Sequence, residues 1–208
     1  MTLEELFSKL SYGELSNLDM AVDEAGTVRA EKQPRVLHFV NDALLKIYSK
    51  FPLLQVQTEI SLTGSGYTHT EDETFLEVLS IINGWGESIP FTHSDTKLIP
   101  RITGKQIIFP EKMKGDVQLT TQHRHPTLTM PVNTEDWDQT IHLEESLHEA
   151  LTAYVASKIY GGMLTPDSMQ ASSLYWNRYM AVMAEFEASG KNPSDGMPLQ
   201  KFEQRGWI

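Results

Sequence analysis

Histidines and carboxylates are the side chains of this sequence that could bind a metal ion or catalyse a reaction, because the sequence contains no cysteine. His123 and His125 flank Arg124, and in a β-strand they would share one face, where two imidazoles could bind a metal ion. No third ligand stands at a diagnostic spacing, and the arginine between them disfavours a bound cation. We therefore interpret the two histidines as an exposed strand end and predict no metal site.

A second candidate is the pair His148 and Glu149, which begins a pattern typical of zinc peptidases. In that pattern a second histidine stands four positions after the first, and Thr152 occupies the position here. The pattern is therefore broken. His142, Glu145 and His148 have the spacing of ordinary neighbours on a helix surface.

Acidic residues surround the start of the same predicted helix. They are Asp136, Asp138, Glu144, Glu145 and Glu149. Carboxylates stabilise the positive end of a helix dipole, which explains them without catalysis. Two carboxylates can also cleave a glycosidic bond when the fold brings them together. A hydrolase that uses these carboxylates with His148 is therefore an alternative hypothesis.

The glycine-rich segments do not resemble catalytic or nucleotide-binding loops. Gly64-Ser65-Gly66 and Gly84-Trp85-Gly86 lack the lysine, the Ser/Thr ending and the following helix of a phosphate-binding loop. The first segment also lacks the glycine spacing of a nucleophile elbow. The four tryptophans are scattered, so they form no stacking platform for bases. We expect no cofactor and no enzymatic activity.

The composition is that of a globular protein, with 208 residues, 40% of them hydrophobic and 22% charged. The net charge of −11 disfavours grasping DNA through its phosphates, which requires lysine and arginine, but suits a passage along which DNA slides. Glu4 and Glu5 stand where a secretory signal would carry lysines. No apolar run approaches the roughly 20 residues of a membrane span. We expect a protein that is not secreted and has no membrane partner.

Apolar spacing predicts helices within residues 2–20 and over 34–51, 143–161 and 167–189, with Thr2 as the first N-cap. Ser11 and Glu14 resemble a capping box that begins a second short helix. Residues 53–130 are typical of four to six antiparallel strands, with a hairpin about Thr103-Gly104-Lys105. The predicted fold is α+β: a bundle of three to four helices (1–52 and 141–190), an antiparallel β insertion (53–140) and an extended C-terminal tail (191–208).

The C-terminal tail differs from the rest of the chain. Pro193, Gly196, Pro198 and Gly206 disfavour a regular element there, yet large apolar residues continue to its end. The residues predicted to dock are Leu199, Phe202, Arg205, Trp207 and Ile208. Tryptophan and arginine are favoured interface anchors, so we predict that the tail docks on another protein. Its folding back onto the core of its own chain is the alternative.

The order of elements resembles that of the head-to-tail connector (portal adaptor) proteins of tailed bacteriophages, especially the short-tailed type. Residues 34–44 (PRVLHFVNDAL) resemble their second helix. Residues 145–159, with the run EALTAYVA at 149–156, resemble the helix that follows their insertion. Residues 202–207 (FEQRGW) resemble their C-terminal ending. The resemblance spans nearly the whole chain.

The resemblance implies a structural virion protein of the neck between capsid and tail, assembled in the host cytoplasm. A homo-oligomeric, twelve-copy ring would bind the portal protein through its tails, extend the DNA channel and provide the attachment site for the tail or nozzle protein. DNA would only pass through the ring. A carboxylate-based hydrolase and an oligomeric interaction module unrelated to virions are the alternatives.

Overall fold

The computed structural model describes residues 1–16, 18, 28–94 and 98–190, and the chain divides into two compact units. Met1–Phe51 and His125–Ile208 form the helical unit, and Pro52–Arg124 form the β unit. The predicted insertion ended at residue 140, whereas residues 125–140 fall in the helical unit. Asn41 holds this segment there, because its side chain exchanges two hydrogen bonds with the backbone of Leu128, each 2.9 Å long.

The helical unit contains four helices among its described residues: α1 (Leu3–Tyr12), α2 (Gln33–Lys50), α3 (Glu145–Gly161) and α4 (Pro166–Ala188). Thr2 caps α1, as predicted, because its Oγ1 accepts from the Glu5 N–H at 3.2 Å and the Glu5 carboxylate accepts from the Thr2 N–H. Ser11 lies inside α1 and so does not begin a new helix; that prediction is wrong.

The centre of the helical unit is α3. Its apolar residues face all sides, and those buried include Leu147, Leu151, Tyr154 and Val155. A helix that is apolar all round must be covered by other elements, and α3 packs against α1, α2 and α4. The ring of Phe186 on α4 also contacts Phe51 just after α2, with centroids 4.8 Å apart.

The β unit contains six strands in its described part: β1 (Leu54–Thr63), β2 (Tyr67–Thr70), β3 (Phe75–Asn83), β4 (Arg101–Thr103), β5 (Gln106–Phe109) and β6 (Lys114–His123). They form two antiparallel sheets, with orders β1-β6-β3 and β2-β5-β4. The predicted hairpin joins β4, which begins at Arg101, to β5, and Gly104 in its turn has a φ of 58°. Ile81, Ile107 and Leu119 are fully buried in a core shared by the two sheets.

The fold is therefore α+β, as predicted, with helices and antiparallel strands in separate units. The predicted C-terminal tail, residues 191–208, lies outside the described residues.

Candidate functional site: a polar groove on the helical unit

An open groove of about 430 Å³ lies on the helical unit, between the end of α1 and the helices α3 and α4. Its lining residues are Lys9, Gly13, Glu14, Glu145, His148, Glu149, Thr152 and Arg178. Glu145, His148, Glu149 and Thr152 share one side of α3, because positions three and four apart on a helix are neighbours. The groove therefore gathers three carboxylates, two cations and a histidine.

Arg178 on α4 occupies the middle of this charge cluster. Its Nε lies 2.5 Å from Oε1 of Glu149, and its Nη1 lies 3.8 Å from Oε1 of Glu14. The hydrogen bond to Glu149 raises the pKa of the Arg178 guanidinium above its usual value. One cation thus joins the turn after α1 to α3 and α4.

Glu14 is bound on several sides, although it follows a short helix in an irregular turn. Its Oε1 accepts a hydrogen bond from Oγ1 of Thr152 at 3.0 Å. Its carbonyl oxygen accepts from the hydroxyl of Tyr160 at 3.1 Å and lies 3.4 Å from that of Tyr175. The side chain is only 14% exposed. These contacts make Glu14 a structural link of the groove.

His148 is held against the backbone and not against a carboxylate. Its Nε2 lies 3.1 Å from the carbonyl oxygen of Leu143, so this nitrogen carries the proton and donates. Burial lowers the pKa of His148, and the positive charges of Lys9 and the N-terminus lower it further. The imidazole is therefore neutral near pH 7, and its Nε2–H is used in the hydrogen bond to the backbone of Leu143.

The groove contains part of the predicted acidic cluster, namely Glu145 and Glu149, together with His148. Asp136 and Asp138 lie elsewhere, in a short 3-10 helix (Thr134–Asp138), and Glu144 is the N-cap residue of α3. The Asp136 carboxylate accepts from the N–H groups of Val132 and Asn133 at 2.8 Å, and these bonds lower its pKa. Asp136 therefore stabilises a turn.

Three charged residues of the lining were not predicted to belong to a site: Lys9, Glu14 and Arg178. Arg178 is separated from its two partners by 29 and 164 positions, and no local pattern indicates such pairing. The only available signal was the acidic face of α3, which needs a cation opposite it to limit repulsion.

The prediction that His123 and His125 form an exposed strand end is wrong, because both are at least 95% buried. The two histidines belong to different units. In the β unit, Nδ1 of His123 lies 2.7 Å from Oγ1 of Thr74, and its Nε2 lies 2.9 Å from Oγ1 of Thr121. His125 contacts only residues of the helical unit in its described bonds, among them Pro126. The prediction failed because the chain is buried on both sides of residue 124, in the β unit before it and in the helical unit after it.

The part of the chain that the structure describes contains no group of three or more His, Cys, Asp or Glu residues that could hold a metal ion. None of its helices is long and apolar enough to cross a membrane. The predicted docking residues Leu199, Phe202, Arg205, Trp207 and Ile208 lie outside the described ranges. No protein-family model matches the sequence, and a search of curated proteins gives no match.

Proposed function

We propose that the protein is a structural virion protein, a head-to-tail adaptor of the kind found in short-tailed bacteriophages. In this role a twelve-copy ring binds the portal protein, extends the DNA channel and provides the attachment site for the tail or nozzle protein. The ring lies in the virion neck, and DNA only passes through it. The protein acts by assembly and not by catalysis.

The observation that carries this proposal is a helical unit interrupted by a complete β unit. α1 and α2 precede the β unit and α3 and α4 follow it, which is the element order that the resemblance implies. α3 packs against helices from both sides of the interruption, so the helical unit has its own core. A unit with its own core can serve as a ring segment while the β unit contacts another component.

Charge is consistent with a channel for DNA. The net charge is −11, and two cations of the helical unit, Arg178 and Lys50, are paired with carboxylates. Arg178 pairs with Glu149 at 2.5 Å, and Lys50 pairs with Glu187 at 2.8 Å. Cations that are paired in this way contribute less to displacing counterions from phosphates, which suits DNA that passes through without being held.

The experiment that tests the proposal is capture of the protein by the portal protein encoded in the same genome. The chain that ends at Gly190 keeps all four helices and all six strands described, so we expect it to fold but to lose portal binding. Phe202→Ala and Trp207→Ala should each weaken binding without lowering the Tm, because each removes one anchor of the tail. Electron microscopy of the complex should show a twelve-copy ring.

The matched control is Trp85→Ala. Trp85 is a tryptophan of the β unit that is 90% exposed, so its loss should leave portal binding unchanged. Normal binding by the chain that ends at Gly190 would contradict the docking role of the tail. Unfolding of that chain would mean that the tail belongs to its own core.

A carboxylate-based hydrolase is the second candidate function, because the groove brings His148 near Glu14 and Glu149. Its weakness is that each of these side chains already has a partner, Arg178 for the carboxylates and Leu143 for the histidine. Incubation with peptidoglycan and with phosphoesters distinguishes the two functions. We expect no turnover; hydrolysis that Glu149→Gln abolishes in a folded protein would establish the enzyme.

A further inference from the structure

The helix α4 and the turn before it carry large apolar side chains that are open to solvent. Six of the thirteen exposed large apolar residues in the described ranges lie here: Met163, Leu164, Met169, Leu174, Trp176 and Met180. Between Asp167 and Glu185 the only charged residue is Arg178. Single exposed apolar residues are normal, but their concentration on one element marks an interaction surface.

Five residues form a continuous stripe along one side of α4, which we call the α4 stripe. They are Met169, Ser173, Trp176, Met180 and Ala184, and all five are exposed. Their spacing of four, three, four and four positions places them on one face of the helix. At 1.5 Å per residue the stripe is roughly 22 Å long. Leu174 and Arg178 lie on another side of the helix.

We propose that the α4 stripe pairs with the α4 stripe of a second copy of this chain, antiparallel, about a two-fold axis between Trp176 and Asn177. In this register Met169 lies opposite Ala184 of the second copy, and Ser173 lies opposite Met180. A large side chain therefore meets a small one at the outer positions, and the two Trp176 side chains lie beside the axis, which suits close helix packing. A two-fold contact needs such self-complementarity, because every pair of facing residues occurs twice, once on each side of the axis.

Charge at the contact is compatible with a second copy. Two copies that each carry a net charge of −11 repel one another, and the repulsion is strongest where acidic groups face each other at close range. The α4 stripe contains none. Glu187 follows it on the same side and is paired with Lys50 at 2.8 Å.

Trp176 is positioned before the copies meet. Its ring centroid lies 5.3 Å from that of Tyr179 and 6.1 Å from that of Tyr154. Nζ of Lys158 lies 5.3 Å from the Trp176 centroid. The residue nevertheless stays 37% exposed. A tryptophan held by neighbours loses little conformational freedom on association, which makes it a suitable central anchor.

The pairing is independent of the proposed function. A ring is built from head-to-tail contacts between two different surfaces, whereas the α4 stripe contact joins two identical surfaces. An adaptor ring would therefore use other surfaces or replace this pair on assembly. Self-association of the isolated protein and portal binding are separate measurements, so either idea can fail alone.

Sedimentation velocity of the full chain across roughly 1 to 200 μM tests the pairing, because weak protein–protein contacts are detected in this concentration range. We expect the mass to rise from one copy of 23.6 kDa towards two. Met180→Glu should weaken association at least tenfold. The dimer would then bury two carboxylates, one from each copy, and each would lie opposite an uncharged Ser173. Adding Ser173→Lys to the same chain should restore association.

Leu174→Glu is the matched control, since Leu174 is 67% exposed on the same helix but outside the α4 stripe. It should associate like the original chain. Circular dichroism establishes that each variant is folded. A single-copy mass at every concentration would overturn the proposal, and so would equal effects of Met180→Glu and Leu174→Glu.

Disulfide trapping tests the register, because the chain has no cysteine of its own. Ser173→Cys combined with Met180→Cys should give a covalent dimer on oxidation. The two positions are roughly 10 Å apart along one helix, too far for a bond within a chain. Leu174→Cys with Ala181→Cys has the same spacing outside the α4 stripe and should stay uncrosslinked. Crosslinking of both pairs, or of neither, would contradict the antiparallel register.

Discussion

The Nε2 atom of His125 accepts a hydrogen bond from the backbone N–H of His142, 3.2 Å away. The Nδ1–H of the same ring donates to the carbonyl oxygen of Pro126 at 2.6 Å. These two bonds require the neutral imidazole, because a proton on Nε2 would face the N–H of His142. The ring of Tyr48 covers His125, with centroids 5.7 Å apart. Burial lowers the pKa of His125 below its usual value.

We expect acid to destabilise the helical unit as the pH falls below about 6.5, where an unfolded histidine binds its proton. Folded His125 stays neutral to lower pH, because its pKa is lowered. The unfolded state then binds more protons than the folded state, so the free energy of unfolding decreases as pH falls. His148 has a lowered pKa and contributes with the same sign.

Urea unfolding at pH 7.5, 6.5 and 5.5 measures this dependence. His125→Gln should make the change in unfolding free energy with pH smaller, even if the variant is less stable at every pH. His38→Gln is the control, because it removes an exposed histidine of α2 in place of a buried one. Equal slopes for all three chains would contradict the role assigned to His125.

Tyr48→Phe should lower the free energy of unfolding by about 1–3 kcal/mol. The Tyr48 hydroxyl donates to the carbonyl oxygen of His142, and the substitution removes this donor from a site where Tyr48 is only 1% exposed. Burial raises the pKa of Tyr48 to about 12, so the hydroxyl keeps its proton throughout the working pH range. Tyr12→Phe, at a residue 72% exposed, should change the unfolding free energy by less than about 0.5 kcal/mol.

The helices were predictable because their signals are local. Apolar spacing placed α2 and α4 to within one or two residues of their observed ends. β2 was not predicted, because Tyr67–Thr70 is only four residues long and mostly exposed, so it has no pattern of burial. Its place in a sheet depends on pairing with β5, some 40 positions later in the chain.

Only the groove residues that lie on a single helix could be predicted, because only their proximity is a local signal. Glu145, His148 and Glu149 could be placed together because helical spacing puts them on one side of α3. Glu14 and Arg178 join them only through the packing of α1 and α4 on α3, which no short pattern encodes. The burial of His125 likewise depends on contacts with Tyr48, 77 positions away in the chain.

Glu14→Gln should destabilise the protein more than Glu149→Gln does. The Glu149–Arg178 pair is about half exposed on both sides, so its loss should cost less than about 1 kcal/mol and less still in 1 M NaCl. Glu14 is 14% exposed and also accepts from Thr152, so removing its charge should cost about 1–3 kcal/mol. Urea unfolding at low and high salt measures both. The opposite order would mean that Glu14 does not link α1 to the other helices.

Leu164→Asn should stabilise the folded chain. Leu164, in the turn between α3 and α4, has a φ of 56° and is the one non-glycine residue of the described ranges with a positive φ. This left-handed conformation costs a leucine about 1–2 kcal/mol, whereas asparagine tolerates it. The leucine side chain is 80% exposed, so its replacement removes little buried area. We therefore expect the free energy of unfolding to rise by about 1 kcal/mol.

Met163→Asn is the control for this prediction, because Met163 lies in the same turn, is 46% exposed and has no positive φ to relieve. It should not stabilise the chain, and urea unfolding compares the two variants directly. Among the described residues nothing covers this leucine, and we expect it to contribute to the contact with a second copy proposed above. Sedimentation of Leu164→Asn should then show weaker self-association together with higher stability. A destabilised Leu164→Asn variant would contradict the assigned strain, and unchanged self-association would place Leu164 outside the contact.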